Sequence, residues 1–302
     1  MSAMHHFLRL HRAGIAAVVL GLLLVAPTSR GQMRGDPLKT DVMGVFAHPD
    51  DETGMASTLA HYALGQGRVV ANIYCTRGEG GGNMVGTQAG LALGILRESE
   101  LRACLEKLGV RYCYFLDRRD FAYTESLSAT LQRWDKEETL RALVRMVRAL
   151  RPEVIVTMDP APTAGQHGNH QAAGLLATEA FTAAADPRRF PDQVGQEGLR
   201  TWQVRKLYYG GWDENLQTVI AITNSLPDGR FPWQVAGEAL SNHRSQAFGN
   251  FAASPRMRRA QLFRLVKSVV PPEPEQDLLR GLPVTDGKAL PIQLAPPRPP
   301  GI

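Results

Sequence analysis

Residues 41–52 read DVMGVFAHPDDE, an apolar run from Val42 to Ala47 that stops at His48-Pro49-Asp50-Asp51-Glu52. The run has the length of a buried strand, so one imidazole and three carboxylates arrive together at its C-terminal end. In open α/β sheets that end of a strand is where ligands bind. A solvated acidic loop would account for the carboxylates, but not for His48-Pro49 or the strand before them. The stretch reads as part of a metal site that needs a further ligand from elsewhere in the chain.

Downstream, Thr53–Leu64 reads as a helix stopped by Gly65 and Gly67, and Arg68–Cys75 as a strand leading into TRGEGGG at 76–82. Glycines there allow tight turns and close backbone approach to a ligand. The loop is not a phosphate cradle, because no Gly-Lys-Ser/Thr follows and no G-x-G-x-x-G opens a helix. Helical spacing over Gln88–Leu108 ends at Gly109, and Arg111–Leu116 is a third strand that runs into Asp117-Arg118-Arg119-Asp120. A helix over Lys136–Leu150 is followed by Pro152 and a fourth strand, Glu153–Met158. Helix resumes over Gln171–Ala184, Lys206–Tyr209 offers a fifth strand, and helices are expected from Trp233 to about Gln246 and over Arg256–Val269. Strands alternating with helices of this length imply βαβ units: an α/β fold, a Rossmann-like three-layer α/β/α sandwich with a mostly parallel sheet.

The termini are of a different character. In residues 1–31, Arg9 and Arg12 precede the apolar run Ala13–Ala26, and Ser29 and Gly31 stand at −3 and −1 of a cut before Gln32. This reads as a signal peptide that sends the chain out of the cytoplasm, to the periplasm or the medium; an uncleaved anchor is the alternative. The run is short of the roughly 20 residues a membrane span needs, and no later stretch is apolar enough. The expected organisation is signal peptide 1–31, one domain over 38–270 and a proline-rich tail over 271–302. Much of the formal charge of +5 lies in the leader, as Arg9, Arg12 and Arg30. No Lys/Arg run interleaves with aromatics, so nucleic acid is not an expected partner. Cys75, Cys104 and Cys113 lack metal-ligand spacing and read as buried thiols.

Catalytic zinc commonly takes three protein ligands from His and Asp/Glu and keeps a position open for water. The loop after the fourth strand supplies two histidines at i and i+3, in Gln166-His167-Gly168-Asn169-His170. Either alone would pass for an ordinary surface or core histidine. Paired with His48 and its acidic neighbours, each at a strand's C-terminal end, they make a metal centre the stronger reading.

AHPDDE after the first strand, TRGE after the second, Arg-x-x-Glu-Leu at Arg97–Leu101 and the late His-x-x-His resemble the PIG-L/LmbE family of zinc-dependent N-acetylglucosaminyl deacetylases. TRGEGGGN, GILRESEL, LDRRDF and HGNHQAAG look like its exported bacterial branch, and His243-Arg244-Ser245-Gln246 adds to the likeness. The resemblance implies His48, Asp51 and His170 as zinc ligands, with Fe²⁺ able to use the same set. It implies Asp50 as general base, His167 as oxyanion stabiliser and acid, and Arg97 and Asp120 as substrate-binding residues. The implied reaction removes the N-acetyl group from an amino sugar, free or in a glycoconjugate. A non-sugar N-acyl amide as substrate and a non-catalytic saccharide-binding protein are the rival readings. Glu52 either hydrogen-bonds a ligand residue or opens the following helix. Two departures from the family pattern stand out: His-Gly-Asn-His replaces the frequent His-Pro-Asp-His, and no tyrosine precedes it in Ala164-Gly165-Gln166.

Overall fold

Strand β1 (Val42–Phe46) is buried along its whole length. Val42 and Phe46 enter one hydrophobic core, while Met43, Val45 and Ala47 enter a second on the opposite side. Alternate residues of a strand point to opposite faces, so an unbroken apolar run is what a sheet covered on both sides requires. The computed structural model describes residues 39–121, 126–163, 166–211, 218–220, 224–258, 261–271 and 277–282. These belong to one compact unit, Pro37–Ile302. The expected signal peptide and most of the expected tail lie outside the described residues.

After β1 the chain runs through a 3-10 turn (Asp51–Met55), helix α1 (Ala56–Ala60) and a π turn (His61–Gly65), then β2 (Val70–Tyr74). Helix α2 (Leu91–Leu108) ends where Gly109 takes a left-handed φ of 75°. Then come β3 (Tyr112–Phe115), α3 (Leu127–Arg133), α4 (Lys136–Leu150) and β4 (Val154–Met158). They are followed by α5 (Gly168–Ala183), α6 (Pro191–Gly195), β5 (Lys206–Gly211), β6 (Thr218–Ile220), α7 (Pro232–Leu240) and β7 (Gln261–Ser268). The sheet order is β3-β2-β1-β4-β5-β7-β6, parallel from β3 through β5. Helices α1, α2 and α7 cover one face, and α3, α4 and α5 cover the other. The architecture is the expected three-layer α/β/α sandwich. Strand order reverses between β1 and β4, and at that switch point a crevice opens beyond the strands' carboxyl ends.

Three expectations fail. The helix expected from Trp233 to about Gln246 is α7, which ends at Leu240, with a separate 3-10 turn at Arg244–Gln246. Arg256–Val269 is not a helix, because Gln261–Ser268 is an edge-side strand antiparallel to both β5 and β6. Leu262, Leu265, Val266 and Val269 have helical spacing, but the alternation of Gln261, Phe263 and Leu265 fits the sheet, with Gln261 and Phe263 buried. The domain also does not stop at residue 270. Leu278 is fully buried, its N–H donates to the Tyr62 hydroxyl, and that hydroxyl donates to Asp277 at 2.6 Å. The Lys206 ammonium reaches the carbonyl of Arg280 at 2.7 Å. Among the described residues, no helix is long and apolar enough to cross a membrane.

Candidate metal centre and active site

The switch-point crevice holds a cavity of about 250 Å³. His48, Asp50, Asp51, Arg97, Asp120, His167 and His170 all line it. They come from four places: the end of β1, the body of α2, the loop after β3, and the N-terminus of α5.

Asp51 is the hinge of the arrangement. One carboxylate oxygen accepts from the backbone N–H of Ala47 and His48, at 3.0 and 2.7 Å, which fixes the turn after β1. The same oxygen lies 3.5 Å from His48 Nδ1, and the other lies 3.1 Å from His170 Nε2. Two ligands on a tetrahedral zinc, at metal bonds of about 2.0–2.1 Å, stand about 3.3–3.4 Å apart. The two observed separations, one from each oxygen of Asp51, lie close to that edge. Nitrogens of His48, His167 and His170 also lie within 4.8 Å of one another, which brings His167 beside the same point.

The charge balance agrees. Burial disfavours a charged His48, yet hydrogen bonds and charge from Asp120 and Asp51 raise its pKa to about 10. For Asp51, burial works against the charged form, but His170 and His48 hold its carboxyl well below the usual range. A proton is bound tightly where two carboxylates converge on an imidazole, a setting that also suits a metal cation. Asp50 behaves differently. Burial and the neighbouring charge of Asp51 push it up to about 7, against the opposing pull of His243 and His48. His167 is pushed down to about 4, by burial first and then by electrostatic interaction with His170 and His48. It is therefore a neutral imidazole at pH 7.

Asp120 lines the cavity, and its carboxylate is also engaged within the protein. One of its oxygens faces His48 Nε2 at 3.3 Å and accepts from Asn169 Nδ2 at 2.9 Å. The other accepts from the N–H of Gly80 at 3.0 Å. With its carboxylate engaged in this way, Asp120 orients the far edge of His48, as carboxylates do for metal-bound histidines. The same contacts explain the asparagine in His-Gly-Asn-His. An aspartate at 169 would set two carboxylates against each other, whereas Asn169 donates to Asp120 and accepts from Thr130 at 2.9 Å. Gly168 has a steric reason too, since a Cβ there would meet the carbonyl oxygen of Ser126 at 2.2 Å. Residues 164–165, where some relatives carry a tyrosine, lie outside the described residues.

Arg97 is only 9% exposed, and its guanidinium donates to the carbonyl of Gly82 at 2.8 Å. The glycine-rich loop is packed against it. A Cβ at Gly81 would meet the guanidinium at 2.8 Å, and one at Gly80 would meet the Phe121 backbone at 2.6 Å. The glycines are thus needed for close approach to the protein's own side chains as well as for forming a cavity wall. Sequence reasoning missed Glu79, whose carboxylate accepts from the N–H of Asp120 at 2.9 Å and ties the loops after β2 and β3 together. It also left open the role of Glu52, which opens the 3-10 turn while its side chain points away from the cavity, into a fully buried contact with His243 at 2.6 Å.

Fold and site together define a three-layer α/β/α sandwich with a histidine–carboxylate cluster, of a kind that could hold a metal ion, at the sheet's switch point. Residues 43–181 match the PIG-L family, described as GlcNAc-PI de-N-acetylase, and form a domain of that family. The 1D-myo-inositol 2-acetamido-2-deoxy-alpha-D-glucopyranoside deacetylase 1 of Frankia casuarinae is 37% identical over 182 residues, 55% of this chain and 57% of its own length. Its counterpart in Mycolicibacterium smegmatis is 36% identical over 179 residues, again 55% of this chain and 57% of its own length. The chain thus spans little more than half of these relatives. The N,N'-diacetylchitobiose deacetylase of Pyrococcus horikoshii has the same fold, with a TM-score of 0.61 at 20% identity over 75% of this chain and 84% of that one. So does the 4-carboxy-2-hydroxymuconate hydratase of Pseudomonas putida, with a TM-score of 0.58 at 18% identity over 78% of this chain and 99% of that one.

Proposed function

We propose that the protein is a metal-dependent hydrolase that removes the N-acetyl group from an amino sugar, free or within a glycoconjugate, and that it works outside the cytoplasm. The observation that carries this reading is the separation of two adjacent aspartates into different environments. Asp51 sits between His48 and His170 as a permanently charged ligand group. Asp50 faces the same cavity with a pKa raised to about 7, which suits a group that takes and returns a proton near neutrality. The names of the sequence relatives support the amino-sugar substrate, and the N-terminal leader supports export.

His48, Asp51 and His170 would hold the ion, Zn²⁺ or Fe²⁺. When bound, such an ion polarises the scissile carbonyl and makes a neighbouring water acidic enough to attack near pH 7. The protein's own residues supply the rest. Asp50 accepts the proton of the attacking water. His167, neutral, donates an N–H hydrogen bond to the oxyanion that forms on the carbonyl. The proton taken by Asp50 then passes to the leaving amine, and acetate departs. Arg97 presents fixed donors at the cavity wall for sugar hydroxyls, while Asp120 acts through His48.

The shared fold of a hydratase keeps a second reaction class in view, since the scaffold alone does not select amide hydrolysis. Acetate release from a panel of N-acetylated saccharides and N-acyl amino acids, with metal analysis of the same preparation, tests the reading. Acetate from the saccharides, in a sample with one metal per chain, is expected. Cleavage of N-acyl amino acids alone would contradict the substrate class, and no acetate from any of them would contradict the reaction.

A further inference from the structure

Asp50 adopts φ 110° and ψ −19°, a region that residues with a Cβ rarely occupy. Its surroundings show what holds it there. The Asp50 N–H donates to Glu52 Oε2 at 3.1 Å, and its carbonyl accepts from the Thr53 N–H at 2.9 Å and the Thr53 hydroxyl at 2.5 Å. Glu52 is fully buried. Its Oε2 also accepts from the Tyr74 hydroxyl at 3.0 Å, and its Oε1 lies 2.6 Å from His243 Nε2 and 3.5 Å from Cys104 Sγ. His243 follows α7 and is 0% exposed. Three residues on, Gln246 donates to the carbonyl of Pro49 at 2.8 Å. One short segment therefore grips the loop after β1 twice, at Pro49 directly and at Asp50 through Glu52. The segment is itself anchored, because the N–H and hydroxyl of Ser245 both donate to Glu100, at 2.9 and 2.6 Å.

Neither Glu52 nor His243 lines the cavity, so the pair does not touch substrate. Ligand atoms of Glu52, Cys104 and His243 are close enough together for an ion. However, both oxygens of Glu52 already face protein donors from four residues, and Glu52, Cys104 and His243 are all fully buried. The geometry suits holding rather than binding.

We propose that Glu52 and His243, with Gln246, are positioning residues: they hold the Asp50 backbone in its strained conformation and so aim its carboxylate into the cavity. This rests on the reading of Asp50 as the general base. The function of His243-Arg244-Ser245-Gln246, 191 residues from Glu52 in sequence, then lies in the geometry of a proton transfer.

Three variants and two readouts test it. Glu52→Leu removes the acceptor for the Asp50 N–H and should lower kcat about 100-fold, with KM changed by less than about 3-fold and metal content unaltered. Glu52→Gln keeps an oxygen for that N–H and should restore most of the rate. Gln246→Ala, outside the buried pair, should cost about 5- to 10-fold in kcat and carries the test if Glu52→Leu does not fold. The second readout is crystallographic, on metal-free protein: Asp50 should leave positive φ in Glu52→Leu or Gln246→Ala and keep it in Glu52→Gln. An unchanged Asp50 backbone with unchanged kcat in Gln246→Ala and Glu52→Leu would overturn the proposal, as would a loss of rate that merely follows loss of metal. If the wild-type protein releases no acetate, the catalytic reading fails, while the Asp50 backbone in the variants still decides whether the clamp exists.

Discussion

Two histidine–carboxylate groups lie on either side of a single loop turn. In front, His48, Asp51 and His170 border the cavity, and the His170 side chain keeps 20% of its surface open. Behind, Glu52 and His243 meet at 2.6 Å with no exposure of either side chain. The chemistry of the residues is the same and the access differs. A pair that solvent and ligands can reach can exchange a proton for a metal ion. A pair sealed among Tyr74, Cys104 and α7 can only be kept or broken. Burial, more than residue type, separates a reactive group from a supporting one.

The sharpest way to break this comparison is to remove front and rear groups separately. His48→Ala together with His170→Ala should abolish metal binding, measured by metal analysis after gel filtration, and reduce turnover to background while leaving the fold intact. Chelation of the wild-type protein should do the same reversibly, with activity returning on adding Zn²⁺. His243→Leu should keep the metal but lose both stability and turnover. It leaves Glu52 as an uncompensated buried carboxylate, which costs about 3–5 kcal/mol, read as a lower urea midpoint.

The rear pair also predicts a pH dependence of stability. Burial opposes the charge on His243, but Glu52 first, and then Asp50 and Glu100, raise its pKa above the ordinary 6.5. A raised folded-state pKa means the stabilisation is complete below about pH 6.5 and is lost as pH rises through the folded value. Urea midpoints of the wild type should therefore fall across that alkaline range, and His243→Gln should flatten the slope. The smallest effect is expected at Asn169. Asn169→Ala removes a donor to Asp120 and should cost about 1–3 kcal/mol, whereas Asn169→Asp should weaken metal affinity by setting a second carboxylate against Asp120.

The front group was legible in the sequence because each member follows a strand or opens a helix. An apolar run ending in His-Pro-Asp-Asp and a late His-x-x-His are local patterns, and parallel topology alone brings them to one crevice. The rear group was not legible. Glu52 looked like part of the acidic loop, and nothing periodic links it to His243. The place of Asp120 beside the cavity is legible, but its hydrogen bonds to Gly80 and Asn169 are not, because they depend on how two loops meet. β7 was misread because Leu262, Leu265, Val266 and Val269 fit a helix as well as a strand, and only pairing with β5 and β6 decides between them.

The division of labour between Asp50 and Asp51 is tested most directly by measuring metal content and acetate release on Asp50→Asn beside His170→Ala. Asp50→Asn should keep one metal ion per chain and lose turnover by about 10²–10⁴-fold, while His170→Ala should lose the metal. Loss of metal from Asp50→Asn, or a nearly normal rate with the metal retained, would contradict it.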